Sequence, residues 1–539
     1  MALMESIKET YRKVELFFGN VKFAVVIILI FATFLAYGTF MESYHGTEYA
    51  NRLIYKSIPF MIVQFMMFLS IVFAALIRLP PKKHLYGFYT IHSGLITLFL
   101  GSFITYEAGV DGSLTLVPNL PNREIQLNED ELKIGFPARK KDATLELPFS
   151  AGEVNLDMDY ENIHIREFFP FAADELSWTP VKIEGQGATS ARYRLFNKNF
   201  GEFITLSLHP KADFNNTTTL GLLNVHYMPK GLQKCFASTN PEGLIVWNGE
   251  DNGCMAPGSD DIKKFKGVAG RERIELIYDG QKIAFLPEMS PLPLDDSMEL
   301  NEKSPFRIFS KKLFEKSPHL FVFGEGAAWF DKNTGKWESR EIKKNEELDL
   351  PWMGFKLKLL DFRADAYPTM TPKLVKPVQE QGQTTYGNMK AVRVEIDGES
   401  FWVRSTEPVA FNKNDERITF QIAKKVKTLK YELVLDQFKM DTDPGTQTPA
   451  SFESFVTLFK GTEGSEKHHI FMNNPLKHQD FTFYQASYFP TEQGPNGSIL
   501  SVNYDPGRFW KYLGSLMLVL GSMWHYYLRR KHMKKPGVS

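Results

Sequence analysis

The chain has 539 residues, with 63 lysines and arginines against 63 aspartates and glutamates, 43% hydrophobic and 14% aromatic residues, and a slightly negative mean hydropathy. Zero formal charge gives no basis for overall polyanion binding, so nucleic acid is not an expected partner. A protein built mostly of membrane helices would be far more apolar, so most of this chain faces water and a minority of segments are strongly apolar.

Residues 1–22 carry Lys8, Arg12, Lys13 and Lys22. The first apolar run, 23–40, is FAVVIILIFATFLAYGTF. It is long for a signal-peptide core, and Met41, Glu42, Ser43 and Tyr44 supply no small-residue cleavage site, so it reads as a first membrane span. A loop at 41–58 contains His45, and a second span covers 59–77. Residues 78–87 form a basic turn with Arg78, Lys82, Lys83 and His84. The third span, 88–106, contains no Asp, Glu, Lys or Arg. At ~1.5 Å per residue it reaches roughly 28 Å, about the hydrocarbon thickness of a bilayer. The chain is then polar and mixed over 107–511, until a last apolar run at 512–528 and a basic tail at 529–539.

The basic short segments are the N-terminal flank, the 78–87 turn and the tail. The positive-inside rule places all three in the cytoplasm, and alternation then places the 41–58 loop and the 107–511 domain outside. The outer domain reads as β-rich. Apolar runs flank Asp279-Gly280 in 274–286 and Asp397-Gly398 in 392–403, the pattern of tight hairpins. Further strands are expected at 320–323, 355–361, 417–422, 431–435, 455–459, 469–472, 481–488 and 499–504, with linkers at 185–187 and 287–297. The expected fold class is an integral membrane α-helical protein with four transmembrane helices and a large β-rich extracytoplasmic domain between the third and fourth.

His92 is the ionisable residue inside the third span. Such a group is costly in a membrane unless it faces protein, water or a ligand. Its small neighbours Ser93, Gly94 and Gly101 allow close approach by a helix or a flat ligand, and neutral imidazole is a common axial ligand of haem iron. The ordinary alternative is an interfacial histidine that snorkels to water. His45, just beyond the first span, is a second candidate ligand, with an exposed loop histidine as its alternative. His525, beside Trp524, Tyr526 and Tyr527, reads as part of an aromatic belt. His468, His469 and His478 read as surface residues, since neighbours on a strand point to opposite faces. Cys235 and Cys254 are the only cysteines. On the outer side they read as a bridge, worth ~3 kcal/mol in the chain-entropy model. The alternatives are a redox pair exchanging with a thioredoxin-like thiol reductant, or two free thiols. No phosphate loop, nucleophile elbow or zinc spacing is present, and no general acid or nucleophile stands out, so the residues themselves give no soluble-enzyme reading.

Several stretches, taken in order, resemble the ResB/CcsB family of the system II cytochrome c maturation pathway. They are Lys22-Phe23-Ala24 through Tyr37-Gly38-Thr39, Ile54-Tyr55-Lys56-Ser57, Arg78-Leu79-Pro80, Ile91-His92-Ser93-Gly94-Leu95, and Leu100-Gly101-Ser102-Phe103-Ile104-Thr105 with Gly109-Val110-Asp111-Gly112-Ser113-Leu114. Met472-Asn473-Asn474-Pro475-Leu476, Phe483-Tyr484-Gln485-Ala486-Ser487-Tyr488 and Asp505-Pro506-Gly507 complete the set. The resemblance implies a multi-pass protein of the bacterial inner (cytoplasmic) membrane with both termini cytoplasmic. It implies that haem b is cargo, carried outward with a ResC/CcsA-type partner for attachment to the CxxCH cysteines of apocytochrome c. It also implies that His92 ligates haem with a histidine from the partner. The partner half is marked by a Trp-rich outer segment, and the eight tryptophans here are dispersed. The chain therefore resembles the B half, a non-catalytic or co-catalytic subunit of the haem-lyase complex. Two other readings stand beside this one: a membrane-anchored outer interaction module without haem, and a haem exporter not tied to cytochrome c.

Overall fold

The structure is a computed structural model. It describes residues 2–533 apart from 182–188, 238–242, 249–253, 256–258, 267–271, 279–280, 287–289, 296–298, 302–303, 305, 381–382, 414–415, 444, 446–448, 460–463 and 492–493. It divides into two compact units: Met1–Ala173 with Pro372–Ser539, and Asp174–Thr371.

The first unit holds the helices. Helix α1 (Ala2–Phe18) precedes the apolar runs. It is tied to the second span by the Ser70 hydroxyl, which donates to the Phe18 carbonyl at 2.9 Å, and by stacking of Phe18 on Phe73. Helix α2 (Val21–His45) is longer than the run that predicts it. Asn20 caps its start, its side chain accepting from the Lys22 N–H, and Gly46 at φ 86° ends it. The expected 41–58 loop is thus mostly helical: α2 continues to His45, and a short helix Thr47–Ala50 and a π turn Asn51–Tyr55 follow. Helix α3 (Ile58–Leu76) and helix α4 (Tyr86–Ala108) agree with the second and third apolar runs. The last run lies within helix α5 (Arg508–Met533). Among the described residues three helices are long and apolar enough to cross a membrane, Val21–His45, Ile58–Leu76 and Lys83–Ala108; α5 is not one of them.

What α5 has is a tight seam with α4. Gly87, Gly94 and Gly101 on α4 face α5, and Gly507, Gly514 and Gly521 at and along α5 face back. A Cβ on Gly94 would lie 2.8 Å from the Gly514 carbonyl oxygen, and one on Gly521 would lie 2.8 Å from the Ile91 nitrogen. Only glycine allows backbones this close. The pair then continues as strands. Helix α4 runs into β1 (Val110–Leu116), and β8 (Gly497–Tyr504) runs into α5. The two strands pair antiparallel from Val110↔Tyr504 to Leu116↔Ser498. At the junction the Thr105 hydroxyl donates to Asp505 at 2.5 Å, and Lys511 reaches the same carboxylate at 2.6 Å.

These strands sit in a ten-stranded sheet. With β2 (Pro121–Phe136), β3 (Glu416–Thr442), β4 (Pro449–Phe459), β5 (Ser465–Ile470), β6 (Leu476–His478) and β7 (Phe481–Phe489), its order is β5-β4-β3-β2-β1-β8-β7-β6. Two more strands flank β2 and β3. Expected strands at 417–422 and 431–435 are one 27-residue strand, β3. The Asp397-Gly398 hairpin is as expected: Ile396 pairs with Glu399, and both turn residues have positive φ, 50° and 84°. The strands around Asp279-Gly280 pair as expected, while the turn residues lie outside the described residues.

The second unit is all-β apart from short helical turns. One sheet orders Lys336–Glu341, Gly326–Asp331, His319–Val322, Leu223–Tyr227 and Thr217–Leu220; a second orders Glu347–Asp349, Lys356–Arg363, Ser190–Phe196 and Gly201–Ser207. Their apolar faces share a core that includes Tyr193, Leu195, Val225, Tyr227, Leu320, Trp329 and Leu357. Neither expected linker marks the division between units. Residues 185–187 lie outside the described residues, and 287–297 lies inside the second unit, partly outside the described residues and holding the short strand Pro293–Leu294. The chain changes unit within two strands instead, Ile163–Pro180 and Ala366–Leu374.

Candidate functional site

His92 lies in the second turn of α4. Its Nδ1 is 3.0 Å from the Phe88 carbonyl oxygen. A carbonyl can only accept, so Nδ1 carries the proton and Nε2 presents the lone pair. A metal-binding histidine is commonly held this way, its second nitrogen fixed by a hydrogen bond. The ring lies on Phe88, centroids 3.8 Å apart, and the Arg78 guanidinium covers the same Phe88 ring at 4.5 Å. Arg78 is itself fixed, donating to the Ala74 carbonyl at 2.8 Å, while Tyr89 donates to the Arg78 carbonyl. The basic turn thus closes over the start of α4 one turn from His92. At 100° per residue, His92 points about 160° away from the glycine seam. That is the face where Phe68 of α3 meets Phe99 and Phe103.

His45 is the last residue of α2, not part of an exposed loop. The α-helix outlasts its apolar run because Glu42, Ser43, Tyr44 and His45 break no backbone bond before Gly46 turns the chain. Its Nδ1 donates to the Pro377 carbonyl at 2.7 Å, and its ring leans on Tyr49. Pro377 follows the strand that ends at Leu374, so His45 is at the sheet end of the helices. His92 is sixteen residues before Ala108, the sheet end of α4, an axial distance of ~24 Å. The two histidines are therefore not brought to one site. His525 of α5 has its Cα at the Gly87 end of the seam, and its Nδ1 is buried without a hydrogen-bond partner among the described residues.

Cys235 and Cys254 are joined as a disulfide, Cα atoms 6.2 Å apart, beside Phe236, Ile245 and Phe321. His469 stacks on Phe455 and reaches Glu453 at 3.0 Å, and His478 meets the face of Tyr431 edge-on.

Two groupings were missed in the sequence. Arg52, Glu48, Asp130, Lys390 and Lys424 form one ion cluster beyond the end of α2. In the second unit, His226 and His319 are hydrogen-bonded, Nε2 to Nδ1, at 2.9 Å. Apart from Glu48 and Arg52, which are four residues apart, members of both groupings are far apart in the chain, and no motif spacing links them. Among the described residues no cluster of three or more His, Cys, Asp or Glu side chains could hold a metal ion.

Comparison with known proteins matches residues 400–496 to the ResB-like family. This stretch runs from the Glu399–Arg404 strand through β3 to β7, and contains none of His45, His92, Cys235 and Cys254. A protein named NrfI from Wolinella succinogenes is 36% identical over 98 residues, 18% of this chain and 10% of that protein. The match thus spans about a tenth of the relative's length. Residues 400–496 of this chain are thus similar to the ResB-like family.

Proposed function

We propose that this protein serves cytochrome c biogenesis as the B-type membrane subunit that passes haem outward, with His92 as an axial ligand. The observation that carries the reading is the His92 tautomer. The Phe88 carbonyl holds Nδ1–H, which leaves Nε2 as a neutral donor within an apolar helix. Haem iron takes a histidine of this kind. A second ligand comes from a ResC/CcsA-type partner, and the haem is delivered to apocytochrome c outside, where a thioredoxin-like reductant keeps the acceptor cysteines reduced. His45 has the same fixed tautomer and is proposed, as a weaker second candidate, to meet haem at the outer face. Nothing in the arrangement supplies a general acid or nucleophile for thioether formation, so the chain is a ligand-holding subunit in this proposal.

We place α2, α3, α4 and α5 across the membrane, with the termini and the 78–87 turn in the cytoplasm and the sheet domains outside. The support for α5 is its seam with α4: a helix whose backbone lies against α4 at Gly94 and Gly514 shares the surroundings of α4. The basic flanks support the direction.

The test is the absorption spectrum of the complex purified with its partner, wild type against His92→Ala. The Soret band should fall severalfold in the variant and return when imidazole is supplied. An unchanged band would remove the ligand role and leave a membrane-anchored interaction module.

A further inference from the structure

The second unit has a half-open cavity of about 710 Å³. Binding sites for small organic molecules occupy about 300–1,000 Å³. Trp247, Phe309 and Phe314 give it aromatic walls. Phe309 is 8% exposed and belongs to the core that holds the disulfide, so this wall is fixed.

The polar side has two parts. His226 and His319 form the centre of a hydrogen-bonded chain. Thr217 Oγ1 lies 3.4 Å from His226 Nδ1, and Ser317 Oγ lies 2.8 Å from His319 Nε2. All four ring nitrogens are thus engaged, and the pair is not a vacant metal site. Burial, aided by the neighbouring ring of His319, pushes His226 down to about 4, so it is neutral at physiological pH. The other part is Arg307. Its Nη1 donates to the Ser304 and Phe306 carbonyls at 2.5 and 2.8 Å. Among the described residues it has no carboxylate partner, and the lining contains no Asp, Glu or Lys. Among the described residues Arg307 is therefore the one formal charge in the lining. A half-buried guanidinium without an anion is expensive, and its fork matches a carboxylate.

We propose that this cavity binds a small amphipathic carboxylate, with the carboxylate on Arg307 and the apolar body against Trp247, Phe309 and Phe314. A cation alone in an aromatic cavity selects for one negative charge at one end of an apolar molecule. The hydrogen-bonded histidine chain beside it places no second charge there. The inference does not rest on haem ligation by His92, because no residue is shared.

The experiment uses the full chain in lipid nanodiscs. The probe is 4-(3-trifluoromethyldiazirin-3-yl)benzoic acid, compared with its primary amide, with labelled peptides mapped by mass spectrometry. The acid should label peptides carrying Trp247 and 307–314, and the amide should label them about tenfold less, the scale of one lost charge-assisted hydrogen bond. Arg307→Gln should reduce labelling by the acid to the level of the amide, and Arg307→Lys should keep most of it. Leu313→Trp, which fills the cavity, should reduce both. Equal labelling by acid and amide in the wild type would overturn the proposal, and that comparison needs no variant to fold. Labelling confined to the membrane helices would overturn it as well.

Discussion

Where α4 and α5 meet the sheet, backbone touches backbone; where α2 meets it, charges are buried. The first junction uses glycines at seven-residue intervals, and the helix pair passes into the strand pair β1–β8 through Gly109 on one side and the turn at 505–507 on the other. The second uses Arg52, Glu48, Asp130, Lys390 and Lys424. Arg52 reaches Glu48 at 3.0 Å and also bonds Asp130. Lys390 reaches Glu48 at 3.0 Å, and Lys424 reaches Asp130 at 3.0 Å. The side chains of Arg52 and Asp130 are 1% and 2% exposed, and Phe149 lies against the guanidinium at 4.5 Å. A seam of glycines fails when anything is added. A buried ion cluster fails when one member is removed. The two junctions thus hold helices to one sheet with opposite sensitivities to mutation.

The largest effect is expected at the ion cluster. Arg52→Met leaves Asp130 buried with lysines as its only cations, and removing one partner of a buried pair costs about 3–5 kcal/mol. The apparent thermal midpoint in nanodiscs should drop by several degrees. Arg52→Met with Asp130→Leu should recover much of the loss, because the stranded charge goes with its partner. A loss no larger than that of an exposed pair would show that water reaches the cluster, and the contrast between the junctions would fail.

The glycine seam should come next. Gly94→Leu forces a side chain into the Gly514 backbone, and overpacking of this kind costs about 1–3 kcal/mol. Ser93→Leu, on the exposed side of the same helix, should change little. Equal midpoints for the two variants would mean that α4 and α5 separate freely.

These junctions differ in how far the sequence discloses them. The three long apolar helices were legible because a run of apolar residues longer than a core helix needs has few other uses. Their ends were not, since a helix continues through polar residues until something such as Gly46 stops it. The seven-residue spacing of Gly87, Gly94 and Gly101 against Gly507, Gly514 and Gly521 stands openly in the sequence. It went unread because small residues were weighed only beside His92. The cluster is another matter. Arg52 and Asp130 are 78 positions apart, and Glu48 and Lys390 are 342 apart, so only the folded chain pairs them. Strand β3 was split into two for a related reason. Lys424, Lys425, Lys427 and Lys430 interrupt its alternation, yet Lys424 is held in the cluster and Lys425 by Glu146. Arg307 shows the same limit, since its meaning comes from the absence of a carboxylate partner among the described residues around it.

The smallest effect is a pH dependence at the ion cluster. Burial raises the Glu48 carboxyl, but Lys390, Lys424 and Arg52 outweigh it and bring it from 4.5 to about 2. A folded value below the unfolded one means that the unfolded chain binds the proton first. The stabilisation is therefore complete above about pH 4.5 and is lost as pH falls toward about 2. A third of the side chain is exposed, and solvent screens its pairs, so the contribution is ~1 kcal/mol. Thermal midpoints of wild type and Glu48→Gln, followed by circular dichroism between neutral pH and pH 2, should differ by a few degrees at neutrality and converge across this window. Other carboxylates titrate in the same range and move both curves, so the difference between them is the quantity to read. Parallel curves would mean that Glu48 keeps its ordinary acidity and that Asp130 alone holds the three cations. A difference that closes on acidification would leave the α2 junction weakened by acid through Glu48.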